Sequence, residues 1–173
     1  MPYREKRGQE WCVYKEWPKM NSGKVFSINI SKTKGVSKIP IKSALLIKGH
    51  GFDKDAHAGA GIRQVSLLSI ESIKRQKECA KVKNAAASLK AGDFAENITT
   101  EGIDLSALEI GDNLTIGGTI VLKISKIGKE CHRYCSIYYK IGDCIMPREG
   151  IFAQVLKGGK IKVGDNIEGP EDV

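Results

Sequence analysis

The chain has 173 residues, of which 41% are apolar and 28% are charged, and its net charge is +8. This length and composition predict one globular domain with a real hydrophobic core. No run of ~18 apolar residues is present, so no membrane span is expected. The charged N-terminus from Arg4 to Lys6 also lacks the apolar stretch of a secretory signal. We therefore expect a cytoplasmic protein, whose five cysteines are reduced rather than paired in disulfides.

The positive charge favours an anionic partner such as a phosphate or a nucleic acid, although it could serve solubility alone. The lysines are spread along the chain instead of forming one dense block. No aromatic-rich RNA-binding motif, paired zinc-finger spacing or recognition-helix pattern is found in the sequence. A nucleic-acid partner is therefore not expected.

Residues 1–22 hold both tryptophans, Trp11 and Trp17, with mixed charge and little periodicity. They are predicted to be a loose extension that precedes a single domain at residues 23–173. In that domain, short apolar or alternating runs predict strands at residues 24–30, 43–47, 63–68, 120–127, 151–156 and 160–167. The last two are predicted to form a hairpin joined by Gly158-Gly159.

A helix is predicted to begin after Ser69, which can cap it, and to run through Ile73 to about Val82. A second, weaker helix signal begins near Asn84. The many short strands and the 19 glycines predict a mainly β fold, a closed or nearly closed barrel with one or two peripheral helices. The similar segments 108–114 and 161–167 each contain Gly-Asp-Asn, which predicts two matching corners, with phosphate binding as the alternative.

Cys131, Cys135 and Cys144 lie within a run that is rich in lysine and arginine. A thiol among cations ionises more readily, and the thiolate is the reactive form. Cys131, which follows Lys129 and precedes Arg133, is the strongest candidate for a nucleophile or persulfide carrier. Cys135 or Cys144 could act as a resolving thiol. The alternative is that one or more of these cysteines are small buried hydrophobic residues.

A structural zinc site is a further alternative for this run, because Cys131, His132, Cys135 and Cys144 supply four possible ligands. Their spacing matches no standard zinc pattern and contains no pair of cysteines two residues apart. No metal site is therefore predicted.

Two other segments carry candidate binding residues. In residues 51–59, an extended backbone would place Asp53, Asp55 and His57 on one face, whereas the aspartates and glycines equally favour turns. Arg63 and Gln64 follow shortly, and arginine suits two-point contact with phosphate or carboxylate.

In residues 92–98, Glu96 and Asn97 lie between apolar residues. Asn97 could hold the loop by bonding the backbone or could contact a ligand.

Six motifs follow one another along the chain: Asp55-x-His57-x-Gly59, Arg63-Gln64-Val65-Ser66-Leu67, Gly92-Asp93-Phe94-x-Glu96-Asn97-Ile98, Gly102-Ile103-Asp104-Leu105, Ile110-Gly111-Asp112 and Lys129-x-Cys131. Taken in this order, they resemble the MOSC domain, which is named for the C-terminal part of molybdenum-cofactor sulfurases. The resemblance covers about residues 23–165. The segment from Cys144 to Ala153 resembles small bacterial MOSC proteins.

The resemblance implies a closed β-barrel that binds the pterin-based molybdenum cofactor and transfers sulfur as a cysteine persulfide. Cys131 matches the characteristic cysteine, with Cys135 and Cys144 assisting. The residues expected to bind the anionic cofactor are His57, Arg63, Gln64, Asn97, Arg133 and Arg148.

The resemblance also implies particular partners. The chain shows no lysine motif for pyridoxal phosphate, so a separate cysteine desulfurase is expected to donate the sulfur. A molybdoenzyme or a molybdopterin-biosynthesis protein is expected to accept it. The alternative function is a non-catalytic carrier of the molybdenum cofactor.

Overall fold

The computed structural model describes residues 20–79, 87–131 and 133–170. Residues 1–19 of the predicted extension 1–22 and the helix signal near Asn84 therefore lie outside the described residues, whereas Ser22 already belongs to the first strand. The strands are β1 (Ser22–Ile30), β2 (Ile39–Ile41), β3 (Ser43–Ile47), β4 (Gly51–Phe52), β5 (Val65–Ser69), β6 (Ile98–Glu101), β7 (Asn113–Ile116), β8 (Ile120–Ile127), β9 (Ile151–Lys157), β10 (Gly159–Lys162) and β11 (Asn166–Glu168). The helices are α1 (Ile70–Cys79), α2 (Ser136–Ile141) and α3 (Met146–Glu149), with a 3-10 turn at Leu105–Ala107.

Seven strands close into a barrel in the order β11-β7-β8-β9-β5-β6-β1, because β1 also pairs with β11. The β5–β6 pair is parallel, and the other pairs of the barrel are antiparallel. β2 extends the sheet from the far end of β1. Closure gives the barrel strands a hydrogen-bonding neighbour on both sides, which removes exposed sheet edges. The predicted mainly β class and closed barrel are confirmed.

The barrel interior is filled by apolar side chains that alternate along the strands. In β8, Ile120, Leu122 and Ile124 are buried, whereas Lys123 is exposed. This is the alternation that the sequence predicts, and it follows from the period of two in an extended chain. The strands predicted at residues 24–30, 43–47, 63–68 and 151–156 are likewise present as β1, β3, β5 and β9.

The predicted hairpin at Gly158-Gly159 is wrong. β9 pairs with β5 and β8 in the barrel, whereas β10 pairs with β3 in a separate sheet of order β10-β3-β4. The two glycines form the passage between the sheets, where Gly158 lies against the Leu46 carbonyl and leaves no room for a Cβ. The second predicted strand is also interrupted at Gly164, which separates β10 from β11.

The two Gly-Asp-Asn segments form matching corners, as predicted. In each, the aspartate carboxylate accepts a hydrogen bond of 2.8 Å from the backbone N–H three residues earlier. Gly111–Asp112 exchanges two backbone hydrogen bonds with Ile124, and Gly164–Asp165 exchanges two with Val25. The corners lead into β7 and β11, which pair with each other, so this repeat helps to close the barrel.

Helix α1 begins where the sequence predicts, because the Ser69 hydroxyl accepts a hydrogen bond of 3.0 Å from the Ser72 N–H. Its buried residue Ile73 belongs to a second hydrophobic cluster that lies outside the barrel. This outer cluster joins α1, α2 and α3 to Leu68 of β5 and Phe152 of β9. None of the described helices has the length and apolar character needed to cross a membrane. The outer cluster is what positions the cysteine-rich segment.

Candidate functional site

The loop that carries Cys131 is anchored at its start, directly after β8. Gly128 has a φ of 68°, and its N–H donates a hydrogen bond of 2.7 Å to the Gly150 carbonyl. A Cβ at Gly128 would collide with the Pro147 carbonyl, and Lys129 N–H donates to that carbonyl at 3.3 Å. The loop therefore leaves the barrel in a fixed direction, beside α3.

Helix α2 returns the chain to the same place. Ile137 and Ile141 pack into the outer cluster, and Gly142 ends the helix with a φ of 74°, the left-handed conformation that glycine adopts readily. Cys135 directly precedes α2 and Cys144 follows it. The short helix and its glycine stop therefore bring residues from both of its ends to the Cys131 loop.

These elements form one pocket of about 550 Å³. This volume is within the range of small-molecule sites, ~300–1,000 Å³. The pocket brings the three cysteines together, a convergence that the sequence could not establish. Its lining residues are Lys129, Glu130, Cys131, Arg133, Tyr134, Cys135, Tyr138, Asp143, Cys144, Pro147 and Arg148.

The three thiols in the pocket have different environments. Cys131 is exposed, Cys135 is half-buried, and Cys144 is buried in the outer cluster. Burial raises the pKa of the Cys144 thiol to about 12, and the neighbouring Cys135 and Cys131 contribute to the same rise. The buried-hydrophobe alternative that the sequence left open therefore describes Cys144, whereas the Cys131 thiol is reachable from solvent.

Cations line the pocket through Lys129, Arg133 and Arg148. Arg148 forms two hydrogen bonds to the Asp143 carboxylate, at 3.1 and 3.3 Å, and a third to the Cys144 carbonyl at 3.3 Å. Gln76 of α1 donates to the same carboxylate at 2.9 Å. These contacts fix one wall of the pocket against the outer cluster, while Arg133 is exposed to solvent.

Aromatic rings form another part of the wall, which sequence reasoning missed. The rings of Tyr134 and Tyr138 are stacked with their centroids 3.8 Å apart, and Tyr139 lies edge-on to both. Tyr134 and Tyr139 are 60% and 76% exposed. A signal was available, because the spacing of four residues between Tyr134 and Tyr138 is the one that brings side chains together across a helical turn.

His57 lies on a turn and not on an extended segment, so of the two alternatives that the sequence leaves open for residues 51–59 the structure shows the turn. Lys54 has a φ of 64°, and Ala58 N–H donates to the Asp55 carbonyl at 3.1 Å. The Asp55 side chain instead points inward, because its carboxylate accepts hydrogen bonds from the Ser31 N–H and the Lys38 ammonium.

The Lys38–Asp55 ion pair is 2.7 Å long, and both side chains are only 1% exposed. The His57 Nδ1 lies 3.9 Å from the Asp55 carboxylate. Burial lowers the pKa of His57, and the Lys38 charge adds to this effect, with a smaller contribution from Lys129. His57 is not part of the wall of the cysteine pocket.

Arg63, Gln64 and Asn97, the other residues expected to bind the cofactor, are not in this wall either. Arg63 is exposed and places its guanidinium 5.9 Å from the ring centroid of Phe152. Gln64 is buried, and its amide oxygen accepts a hydrogen bond of 2.9 Å from the Val155 N–H.

Asn97 is buried and holds the loop before β6. Its side-chain oxygen accepts from the Ser66 N–H at 3.1 Å, and its amide donates to the Asn29 carbonyl at 3.2 Å. This is the loop-holding alternative that the sequence left open. A ligand contact by Asn97 stays a prediction.

Glu96 lies beside Asn97 and is fully buried. One carboxylate oxygen accepts hydrogen bonds from the Gly92 N–H at 2.6 Å and the Thr99 hydroxyl at 2.8 Å, while the other has no protein partner. Burial raises the pKa of this carboxyl to about 7. Glu96 is thus a buried acid that titrates near neutral pH.

Among residues 20–79, 87–131 and 133–170, no three histidine, cysteine or carboxylate side chains cluster closely enough to hold a metal ion. His132, one of the four ligands considered for zinc, lies outside the described residues. The described part of the pocket is lined by three thiols and three cations together with the carboxylates of Glu130 and Asp143, and Asp143 is bonded to Arg148.

Three solved structures are similar in fold to this chain. The YUAD protein from Bacillus subtilis aligns at a TM-score of 0.65 with 18% identity, covering 89% of this chain and 98% of that protein. YiiM from Escherichia coli aligns at 0.64 with 17% identity, over 87% of this chain and 71% of that one. YiiM from Geobacillus stearothermophilus aligns at a TM-score of 0.63 with 20% identity, covering 86% of this chain and 75% of that protein.

A search among curated proteins returns no match. The profile of the MOSC domain matches residues 53–168, which is more than half of the chain and includes the Asp55–His57 turn, the Glu96–Asn97 loop and the cysteine pocket. The chain therefore belongs to the MOSC domain family.

Proposed function

We propose that this protein is a sulfur carrier that acts in maturation of the molybdenum cofactor, with Cys131 holding the transferred sulfur as a persulfide. The family is associated with molybdenum-cofactor sulfurases. The observation that carries the proposal is the exposed Cys131 thiol in a pocket that Lys129, Arg133 and Arg148 also line. We place this activity in the cytoplasm, where thiols are kept reduced.

The loading step is an exchange between thiol and persulfide. The Cys131 thiolate attacks the terminal sulfur of a persulfide on a cysteine desulfurase. The bond between the two donor sulfurs breaks, the donor cysteine leaves as a thiolate, and Cys131 becomes the persulfide. No oxidant or reductant is consumed. Only a thiol that another protein can reach performs this step, and among the pocket thiols Cys131 is the most exposed.

The pocket chemistry suits the molybdenum cofactor as the substrate that receives sulfur. The cofactor carries a phosphate and an anionic metal-oxo group, and arginine and lysine side chains bind such groups. The cations beside the thiols would orient this anion near the persulfide, with Arg133 exposed to solvent. We propose His57 as a further contact to the cofactor because it belongs to the motif on which the family resemblance rests, although it lies outside the pocket wall.

The test is intact-mass spectrometry after incubation with a cysteine desulfurase and cysteine. We expect the wild-type protein to gain the mass of one sulfur atom, which cyanide then removes, and we expect Cys131→Ala to gain none. The matched control is Cys12→Ala, which should load as the wild type does. Loading of Cys131→Ala at the wild-type rate would overturn the proposal. Co-purification of the cofactor with Cys131→Ser, with normal delivery, would favour the non-catalytic carrier instead.

A further inference from the structure

The pocket holds two thiols besides Cys131, and their environments assign them different roles. Cys144 packs in the outer cluster with Ile141, Ile145 and Met146 and is only 9% exposed. Burial raises the pKa of its thiol to about 12, so at neutral pH it stays protonated. A protonated thiol is a poor nucleophile. Cys144 is therefore part of the packing that supports the pocket.

Cys135 is placed differently. It is half-buried at the edge of the outer cluster, lines the same pocket as Cys131, and precedes the first residue of α2. Its sulfur makes no capping hydrogen bond to the helix, so the side chain is not committed to holding α2. Only three residues separate it from Cys131, which keeps the entropic cost of joining the two sulfurs small.

We propose that Cys135 is the resolving thiol, which attacks the Cys131 persulfide and releases its outer sulfur as sulfide into the cationic pocket. This inference rests on the proposed function, because it requires a persulfide on Cys131. It goes further by assigning the form in which sulfur leaves the protein and the residue that releases it.

The step balances within the protein. The Cys135 thiolate attacks the inner sulfur of the persulfide, the bond between inner and outer sulfur breaks, and a disulfide forms between Cys131 and Cys135. The outer sulfur leaves as HS⁻ with one proton. The two thiols supply the two electrons that reduce it, so the disulfide is the oxidised product. A cellular dithiol reductant then restores both thiols for the next cycle.

The positive side chains that line the pocket favour release of the outer sulfur as an anion there. HS⁻ is an anion, and the pocket that holds both thiols is lined by Lys129 and Arg133 and by Arg148, which is bonded to Asp143. The same side chains that would orient an anionic acceptor therefore also stabilise the leaving group. Sulfide has the oxidation level of a metal-bound sulfido ligand, so an acceptor that receives it needs no electrons of its own.

The experiment is a single turnover of the full-length protein, first loaded by a cysteine desulfurase and then separated from donor and reductant. Free sulfide is measured over time, and the products are digested with trypsin without reduction. Cleavage after Lys129, Arg133, Lys140 and Arg148 places Cys131, Cys135 and Cys144 on different peptides. We expect sulfide release together with a cross-link between peptides 130–133 and 134–140.

Two variants then show which of the two thiols, Cys135 or Cys144, attacks the persulfide. Cys135→Ala should load normally yet release sulfide at least ~10-fold more slowly, because the thiol that remains beside Cys131 in the pocket, Cys144, is buried. Cys144→Ala tests the alternative that Cys144 is the resolving thiol, and we expect it to release sulfide within about twofold of the wild-type rate. Circular dichroism and thermal unfolding check that both variants are folded.

The outcomes are distinguishable from those that test the proposed function. Failure to load wild-type protein contradicts the proposed function. Normal loading with unchanged release from Cys135→Ala contradicts the resolving role alone. A cross-link between peptides 130–133 and 141–148, with slow release from Cys144→Ala, would assign the role to Cys144 and overturn the inference.

Discussion

Glu96 makes the stability of the barrel depend on pH in a defined direction, and Glu96→Gln tests this. The carboxyl is fully buried, with one oxygen bonded to the Gly92 N–H and the Thr99 hydroxyl and no protein partner for the other. Burial is the main reason that its pKa rises from 4.5 to about 7, and the nearby Asp93 charge adds to the rise. Ionising Glu96 in the folded protein is therefore costly.

The size and sign of the effect follow by linkage. A carboxyl whose pKa rises from 4.5 in the unfolded chain to about 7 in the folded protein contributes about 3 kcal/mol to the free energy of unfolding, because each unit of pKa difference is worth ~1.4 kcal/mol. This stability is fully present below pH 4.5, the unfolded value, and is lost as the pH rises through about 7. His57 acts oppositely, because its lowered pKa favours the folded state as the pH rises. Comparing wild type with Glu96→Gln cancels that contribution.

The assay is urea unfolding of both proteins at pH 5 and at pH 8. A neutral amide replaces the neutral acid at pH 5, so we expect stabilities within ~1 kcal/mol of each other there. At pH 8 we expect Glu96→Gln to be the more stable by up to ~3 kcal/mol. The matched control, Glu78→Gln, removes an exposed carboxylate of α1 and should change stability by less than ~0.5 kcal/mol. Parallel pH profiles for wild type and Glu96→Gln would refute the reasoning.

Three further substitutions test the supports of the pocket and the barrel. Lys38→Met leaves the buried Asp55 carboxylate without its ion-pair partner, and we expect a loss of ~3–5 kcal/mol in urea unfolding. Gly128→Ala forces a Cβ against the Pro147 carbonyl at a φ of 68°, and we expect it to lower the free energy of unfolding by ~1–3 kcal/mol and to slow persulfide loading. Asn97→Ala removes hydrogen bonds at both ends of the side chain, for an expected loss of ~1–3 kcal/mol by thermal unfolding, with loading of the folded protein unchanged.

The sequence predicts the regular strands of the barrel well because their burial alternates or is continuous. β8 is the clearest case, with its apolar side chains at every second position. The short strands β2, β4, β6 and β7 were not predicted, because two to four residues are too few for any period to show. Which strands pair with one another is less predictable from the sequence than where the strands lie. Gly158-Gly159 has the composition of a hairpin turn, yet only the tertiary structure places β9 and β10 in different sheets.

The candidate site was predicted in part. The sequence from Lys129 to Arg148 identifies the cysteines and the cations as candidate site residues, and the structure places them in one pocket. The burial of Cys144 could not be read from its neighbours in sequence, since it depends on how α2 and α3 pack on α1 and β9. Likewise, the Lys38–Asp55 pair joins residues that are distant in sequence, and no local pattern signals it.

The central claim is that sulfur is held on Cys131, and peptide mapping tests it most directly. After loading by a cysteine desulfurase and alkylation, trypsin releases residues 130–133 as a peptide whose one cysteine is Cys131. The account predicts that this peptide alone carries the added sulfur. Recovery of the sulfur on residues 134–140 or 141–148 instead, with peptide 130–133 unmodified, would contradict it.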